Sequence, residues 1–176
     1  MALYCAIYHA KCFFNQMKSH QKYPGRVAGI DYGTKRIGIA LSDPAREIAS
    51  PFESYVRRNP EQDAQRFCRL KSEEGVELFV VGLPIHLDGR ESEKSLEARR
   101  FGSWLAEVTG VEVVFFDERF TSIEAENLLM DAGLSQKRRK KRIDMLAAQI
   151  MLEAYLQAAE EDRHNPKSLD DKPDLE

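Results

Sequence analysis

A chain of 176 residues, 43% hydrophobic and 31% charged, has enough apolar material for one domain with a real core and too little for two. The formal net charge of −3 misleads, because residues 160–176 alone hold seven acids and three bases and leave +1 for residues 1–159. The acidity therefore does not exclude a nucleic-acid partner. Cys5, Cys12 and Cys68 form no CxxC and pair with no histidine at ligand spacing, which excludes a disulfide scaffold or zinc module and points to a reducing, cytoplasmic compartment.

Residues 1–25 are expected to be an extension outside the fold. Their apolar residues are interrupted by His9, Lys11 and Asn15, too often for a signal peptide or a membrane span. Pro24-Gly25 closes the segment. Met17 is a candidate alternative start, and a short surface helix is the other reading. The domain pattern runs over 26–159, and residues 160–176 read as a disordered acidic tail.

The domain opens with VAGIDYGTKRIGIALSD, residues 27–43. Val27, Ala28 and Ile30 lead in, Gly33 to Arg36 turn, and Ile37, Ile39 and Leu41 alternate on the way out. This predicts a β-hairpin with Gly33 at the positive φ that a tight turn often needs. Residues 50–58 predict a third strand, which Pro51 assigns to a sheet edge or strand start. Asn59 and Pro60 open a helix in the cap and first positions, with Ala64, Phe67, Cys68 and Leu70 recurring at helical spacing to Gly75. ELFVVGLP is a continuous apolar run, as in a strand buried on both faces. Residues 92–108 predict a helix with Leu96, Phe101, Trp104 and Leu105 inward, and VEVVFFDER a second buried strand. A short helix follows from Ser122 to Met130. Residues 137–159 predict a long helix with Ile143, Ala147, Ile150, Met151 and Ala154 on one face. Three antiparallel strands followed by βαβαβ crossovers imply an α/β domain. Its mixed five-stranded sheet carries helices on both faces, in the element order of the RNase H-like fold.

Three carboxylates fall in suggestive places. Asp31 ends the first strand, where it bonds the turn backbone or holds a cation. Asp117-Glu118-Arg119 ends a buried strand, at the strand ends where open α/β sheets bind ligands. Asp144 shares a helix side with Ala147, Ala148 and Met151 and so faces inward. Three inward acids with no base of their own repel one another unless a divalent cation sits among them. Immediately before Asp144 run six consecutive bases, Lys137, Arg138, Arg139, Lys140, Lys141 and Arg142. They form either a solvated helix start or a clamp for a phosphate backbone. Lys35 and Arg36 extend the same track.

GIDYGTKRIGIALSD, VVGLPIHLDG, DERFTSIEAE and KKRIDMLAAQIMLEAYL together resemble the YqgF/RuvX family, over residues 26–157. The resemblance implies an RNase H-like nuclease, related to Holliday junction resolvases, that processes the 5′ end of pre-16S ribosomal RNA. It places the family's acids on Asp31, Glu118 (Asp117 being the lesser candidate) and Asp144, as ligands of Mg²⁺ or Mn²⁺. It also makes Gly82, Leu83, Pro84, Asp88 and Gly89 motif positions, with His86 a bystander. On this reading Gly33 and Thr34 bring backbone close to phosphate. The implied partners are pre-16S rRNA and a pre-ribosomal particle, with branched DNA as the alternative substrate and no membrane. A third reading keeps the fold as a non-catalytic RNA-binding protein. An actin-like kinase needs a second phosphate loop and a chain of about twice this length.

Overall fold

The computed structural model describes residues 25–84, 93–117 and 136–158, the side chains of Asp117 and of 136–141 excepted. Five strands, β1 (Arg26–Asp31), β2 (Arg36–Ser42), β3 (Ala49–Val56), β4 (Val76–Leu83) and β5 (Glu112–Asp117), form one sheet in the order β3-β2-β1-β4-β5. β1 pairs antiparallel with β2, and β2 with β3, whereas β1–β4 and β4–β5 are parallel. Helices α1 (Pro60–Glu74), α2 (Glu93–Thr109) and α3 (Gln136–Gln157) complete the described elements. This is the RNase H-like topology, with β1 central and the Pro51 strand at an edge. The extension before Gly25, the 122–130 helix and the acidic tail lie outside the described residues.

Strand alternation divides the core in two. Ala28, Ile30, Ile37, Ile39, Phe79 and Val81 turn to α1 and α2, where Phe67, Leu70, Phe101 and Leu105 meet them. Phe67 centres this layer, edge-on to Tyr55, Phe79, Phe101 and Trp104. Val27, Ala40, Ala49 and Val80 turn the other way, to Ala148, Met151, Leu152 and Tyr155 of α3.

The structure corrects three expectations. Leu96 is 45% exposed, because the buried face of α2 runs through Ser95, Ala98, Phe101, Gly102 and Leu105, on the opposite side of the helix. The buried stripe of α3 is Ala148, Met151, Leu152 and Tyr155, rotated from the predicted face, of which Met151 alone is fully buried. Gly33 is not among the positive-φ glycines. It is needed for space, since a Cβ there would lie 2.4 Å from the Arg36 carbonyl oxygen.

The third strand stops at Val56 because Asp63, buried in the first turn of α1, takes over the next residues. Its carboxylate accepts from the Arg58 backbone N–H at 3.0 Å, Arg57 Nε at 3.1 Å and the Tyr55 hydroxyl at 2.8 Å. Burial, then Asp63, pushes the Tyr55 phenol up to about 12. The helix start itself follows local chemistry. Asn59 has extended backbone and its side chain accepts from the Gln62 N–H at 2.9 Å, with Pro60 in the first turn. Gly75 closes α1 at φ 67°, in the left-handed region. Asn59→Ala is expected to cost about 1 kcal/mol of unfolding free energy, read as a lower urea midpoint at unchanged slope. An unchanged midpoint would mean that Pro60 alone sets the start.

Candidate active site

One row of residues crosses three strands. Asp31 pairs with Gly38, and Gly38 with Ser54. Directly opposed residues share a sheet face, and Gly38 lies against α3. A Cβ on Gly38 would sit 1.9 Å from the Asp144 carbonyl oxygen, and one on Gly29 would sit 2.8 Å from Leu152 Cβ. Two glycines on neighbouring strands thus let α3 descend onto the sheet and carry Asp144 down beside the end of β1.

Asp144 Oδ2 accepts from Arg36 Nε at 2.6 Å and from the Ser54 hydroxyl at 3.0 Å. The ion pair is half-buried. Asp144 in turn holds the Arg36 guanidinium above its usual range. Asp31 differs. Among the described residues, no hydrogen bond or ion pair reaches its carboxylate. Enclosure by protein, and then the charge of Asp144, raise it from the ordinary 3.8 to about 6. The expectation of several acids without a base is therefore corrected for Asp144, which Arg36 neutralises. Asp31 is a half-buried acid that faces Asp144 and, among the described residues, has no cation beside it.

Other predicted residues fall as follows. Thr34 and Lys35 are exposed in the hairpin turn and Gly33 is half-buried. Arg36 lies under α3 rather than on an open track. Lys137, Arg138, Arg139, Lys140 and Lys141 occupy the first turns of α3, and Arg142 is exposed there. Asp117 ends β5 next to Leu83 of β4, so its backbone lies at the same end of the sheet as Asp31. Glu118, Asp88, Gly89 and His86 lie outside the described residues. Among the described residues no group of three His, Cys, Asp or Glu side chains comes together.

Sequence reasoning missed Ser54 and the anchoring of Tyr32. The Arg57 guanidinium donates to the Tyr32 hydroxyl at 3.2 Å and stacks over the Tyr32 and Phe101 rings at 5.6 and 5.7 Å. Arg57 is itself held by Asp63, so the residue after Asp31 is tied to the start of α1. Only the position of Tyr32 beside Asp31 hinted at this in the sequence.

The donor set suits a hard divalent cation. Carboxylate oxygens are the ligands such ions prefer, and an ion would remove the like-charge penalty on Asp31. The fold class is an RNase H-like α/β sheet with two acids side by side at the end of its central strand. Comparison with known proteins narrows the class. The family model described as "RuvX: Holliday junction resolvase" matches residues 25–158, and the chain belongs to that family. A "Putative pre-16S rRNA nuclease" of Rhodopirellula baltica is 45% identical over 157 residues, covering 84% of this chain and 91% of that protein. One of Koribacter versatilis with the same name is 36% identical, covering 86% and 99%. Among solved structures, Thermus thermophilus RuvC bound to a Holliday junction aligns with a TM-score of 0.46 at 16% identity, over 77% of this chain and 98% of that one. No helix among the described residues is long and apolar enough to cross a membrane.

Proposed function

We propose that this protein is a divalent-metal-dependent endonuclease that hydrolyses phosphodiester bonds in RNA, with the 5′ end of pre-16S rRNA as its substrate in the cytoplasm. One observation carries the reading. Asp31, enclosed and with no cation beside it among the described residues, lies next to Asp144 at the end of the central strand. The relatives named for pre-16S rRNA supply the substrate class. Asp31, Glu118 and Asp144 would hold Mg²⁺ or Mn²⁺, and the chemistry such an ion supplies is activation of water and neutralisation of the leaving oxygen.

The chain's own groups have distinct parts in this reading. Arg36 and Ser54 fix the Asp144 carboxylate through one oxygen and leave the other for a ligand. Tyr32, anchored by Arg57, stiffens the chain just beyond Asp31. Gly33 and Thr34 offer backbone to phosphate, and the bases from Lys137 to Arg142 lie one or two turns from Asp144 along α3, suited to neutralising the strand being cut.

The test incubates the full chain with precursor rRNA and with a four-way DNA junction, in Mg²⁺, Mn²⁺ or EDTA. Metal-dependent cleavage of the rRNA precursor is expected, with the junction left largely intact. Preferential cutting of the junction would replace this reading with that of a branched-DNA resolvase. Tight rRNA binding without cleavage in either metal would replace it with a non-catalytic one.

A further inference from the structure

A groove of about 550 Å³ lies between the edge strand β3 and helix α1, lined by Glu53, Ser54, Arg58, Gln62, Arg66 and Arg69 among others. It opens on the end of the sheet that carries the acids, because β3 finishes where β1 finishes and β2 begins. Ser54 belongs to its wall and donates to Asp144. The groove and the acid pair are therefore separated by the thickness of one strand.

Its charges are unevenly satisfied. Arg66 donates through Nε at 2.9 Å and through a terminal nitrogen at 2.5 Å to Glu53 Oε2, and lies 5.8 Å over the half-exposed Phe52 ring. This ties α1 to β3 and forms the rigid middle of the groove. Arg58 and Arg69 differ. Among the described residues neither guanidinium has an acid partner, and Arg69 makes only a 3.4 Å bond to the Gln65 carbonyl of its own helix. Gln62, Gln65, Arg66 and Arg69 recur at three- and four-residue spacing, so they share one face of α1. Two unpaired guanidiniums suit phosphates, and glutamine amides between them present both donors and acceptors to base edges. An acidic peptide would use the guanidiniums but not the alternating amides.

We propose that this groove binds a single-stranded segment of the RNA substrate that continues past the acid pair, with Arg58 and Arg69 on its phosphates. The inference rests on the endonuclease reading and adds a second contact surface, on the opposite side of β3 from the basic start of α3.

The experiment titrates labelled single-stranded RNA with full-length protein in EDTA, so that binding is read without cleavage. The variant is Arg58→Ala/Arg69→Ala, and Arg66 is left in place because it holds β3 to α1. Affinity is expected to fall roughly tenfold at low salt, and the log–log salt slope to become shallower by about 0.7 for each phosphate that is no longer neutralised. In parallel, 4-thiouridine RNA photocrosslinked to wild-type protein should mark peptides spanning residues 59–69, a readout independent of how the variant folds. Unchanged affinity and slope, with crosslinks confined to other peptides, would overturn the groove while leaving the endonuclease reading in place. Displacement of the RNA by polyglutamate at equal charge would overturn it in favour of an acidic peptide. Absence of RNA binding by wild-type protein would overturn both.

Discussion

Asp31→Asn is expected to abolish metal-dependent cleavage and, in the absence of metal, to make the protein more stable at neutral pH. Both effects have one cause. The carboxyl titrates at about 6 in the folded protein and at 3.8 when unfolded. Between these values the folded state binds more protons, so stability falls as pH rises through the interval. Above pH 6 the full penalty applies, on the order of 2–3 kcal/mol for a carboxyl moved from 3.8 to about 6. Below pH 3.8 the carboxyl is protonated in both states and the penalty is absent. Asparagine keeps the shape and carries no charge. Melting in EDTA should therefore show the variant above wild type at pH 7.5 and the two converging near pH 4. Mn²⁺ should raise the wild-type melting temperature and leave that of the variant nearly unchanged. Asp144→Asn should abolish cleavage as well but gain no stability, because it weakens the bond to Arg36. Wild-type cleavage by Asp31→Asn would remove Asp31 from the site.

The second large effect comes from adding one methyl group. Gly38→Ala places a Cβ 1.9 Å from the Asp144 carbonyl oxygen. The Cβ is fixed to the strand and the atom it meets is helix backbone, so no side chain can rotate away and α3 must lift from the sheet. Overpacking substitutions cost about 1–3 kcal/mol where side chains yield, and a collision with helix backbone should exceed that range. The urea midpoint should fall sharply at unchanged slope. Asp144 should move away from Asp31, so the Mn²⁺-induced rise in melting temperature should shrink as well. Gly29→Ala, whose nearest neighbours would lie at 2.8 and 3.0 Å, should show the same effects more weakly. Wild-type stability of Gly38→Ala would mean that α3 is not seated on β2 through this glycine.

These glycines also mark the boundary between local and tertiary information. The hairpin of β1 and β2, the Asn59-Pro60 helix start, the Gly75 stop and the apolar run of β4 are legible in the sequence, because each depends on neighbours within a few residues. Asp31 and Asp144 are legible as acids in apolar company. The facing of the helices is less so. Ala-rich and Leu-rich stretches of α3 offer more than one apolar stripe, and the sheet selects the stripe that fits over Gly29 and Gly38.

By itself, then, the amino-acid order determined the five strands, the helix that begins at Pro60, the α/β class and the two acids that end up together. Tertiary structure decided their chemistry. Arg36 is 108 residues from Asp144 and Ser54 is 90, and no local pattern predicts that both converge on one carboxylate oxygen while Asp31 has neither. The same holds for the β3–α1 groove, where Arg66 is neutralised by Glu53 while, among the described residues, Arg58 and Arg69 have no acid partner. Secondary structure is set by short-range sterics and periodicity. The partner of a charge is set by which strand and helix lie next to each other, and that follows from packing the whole sheet.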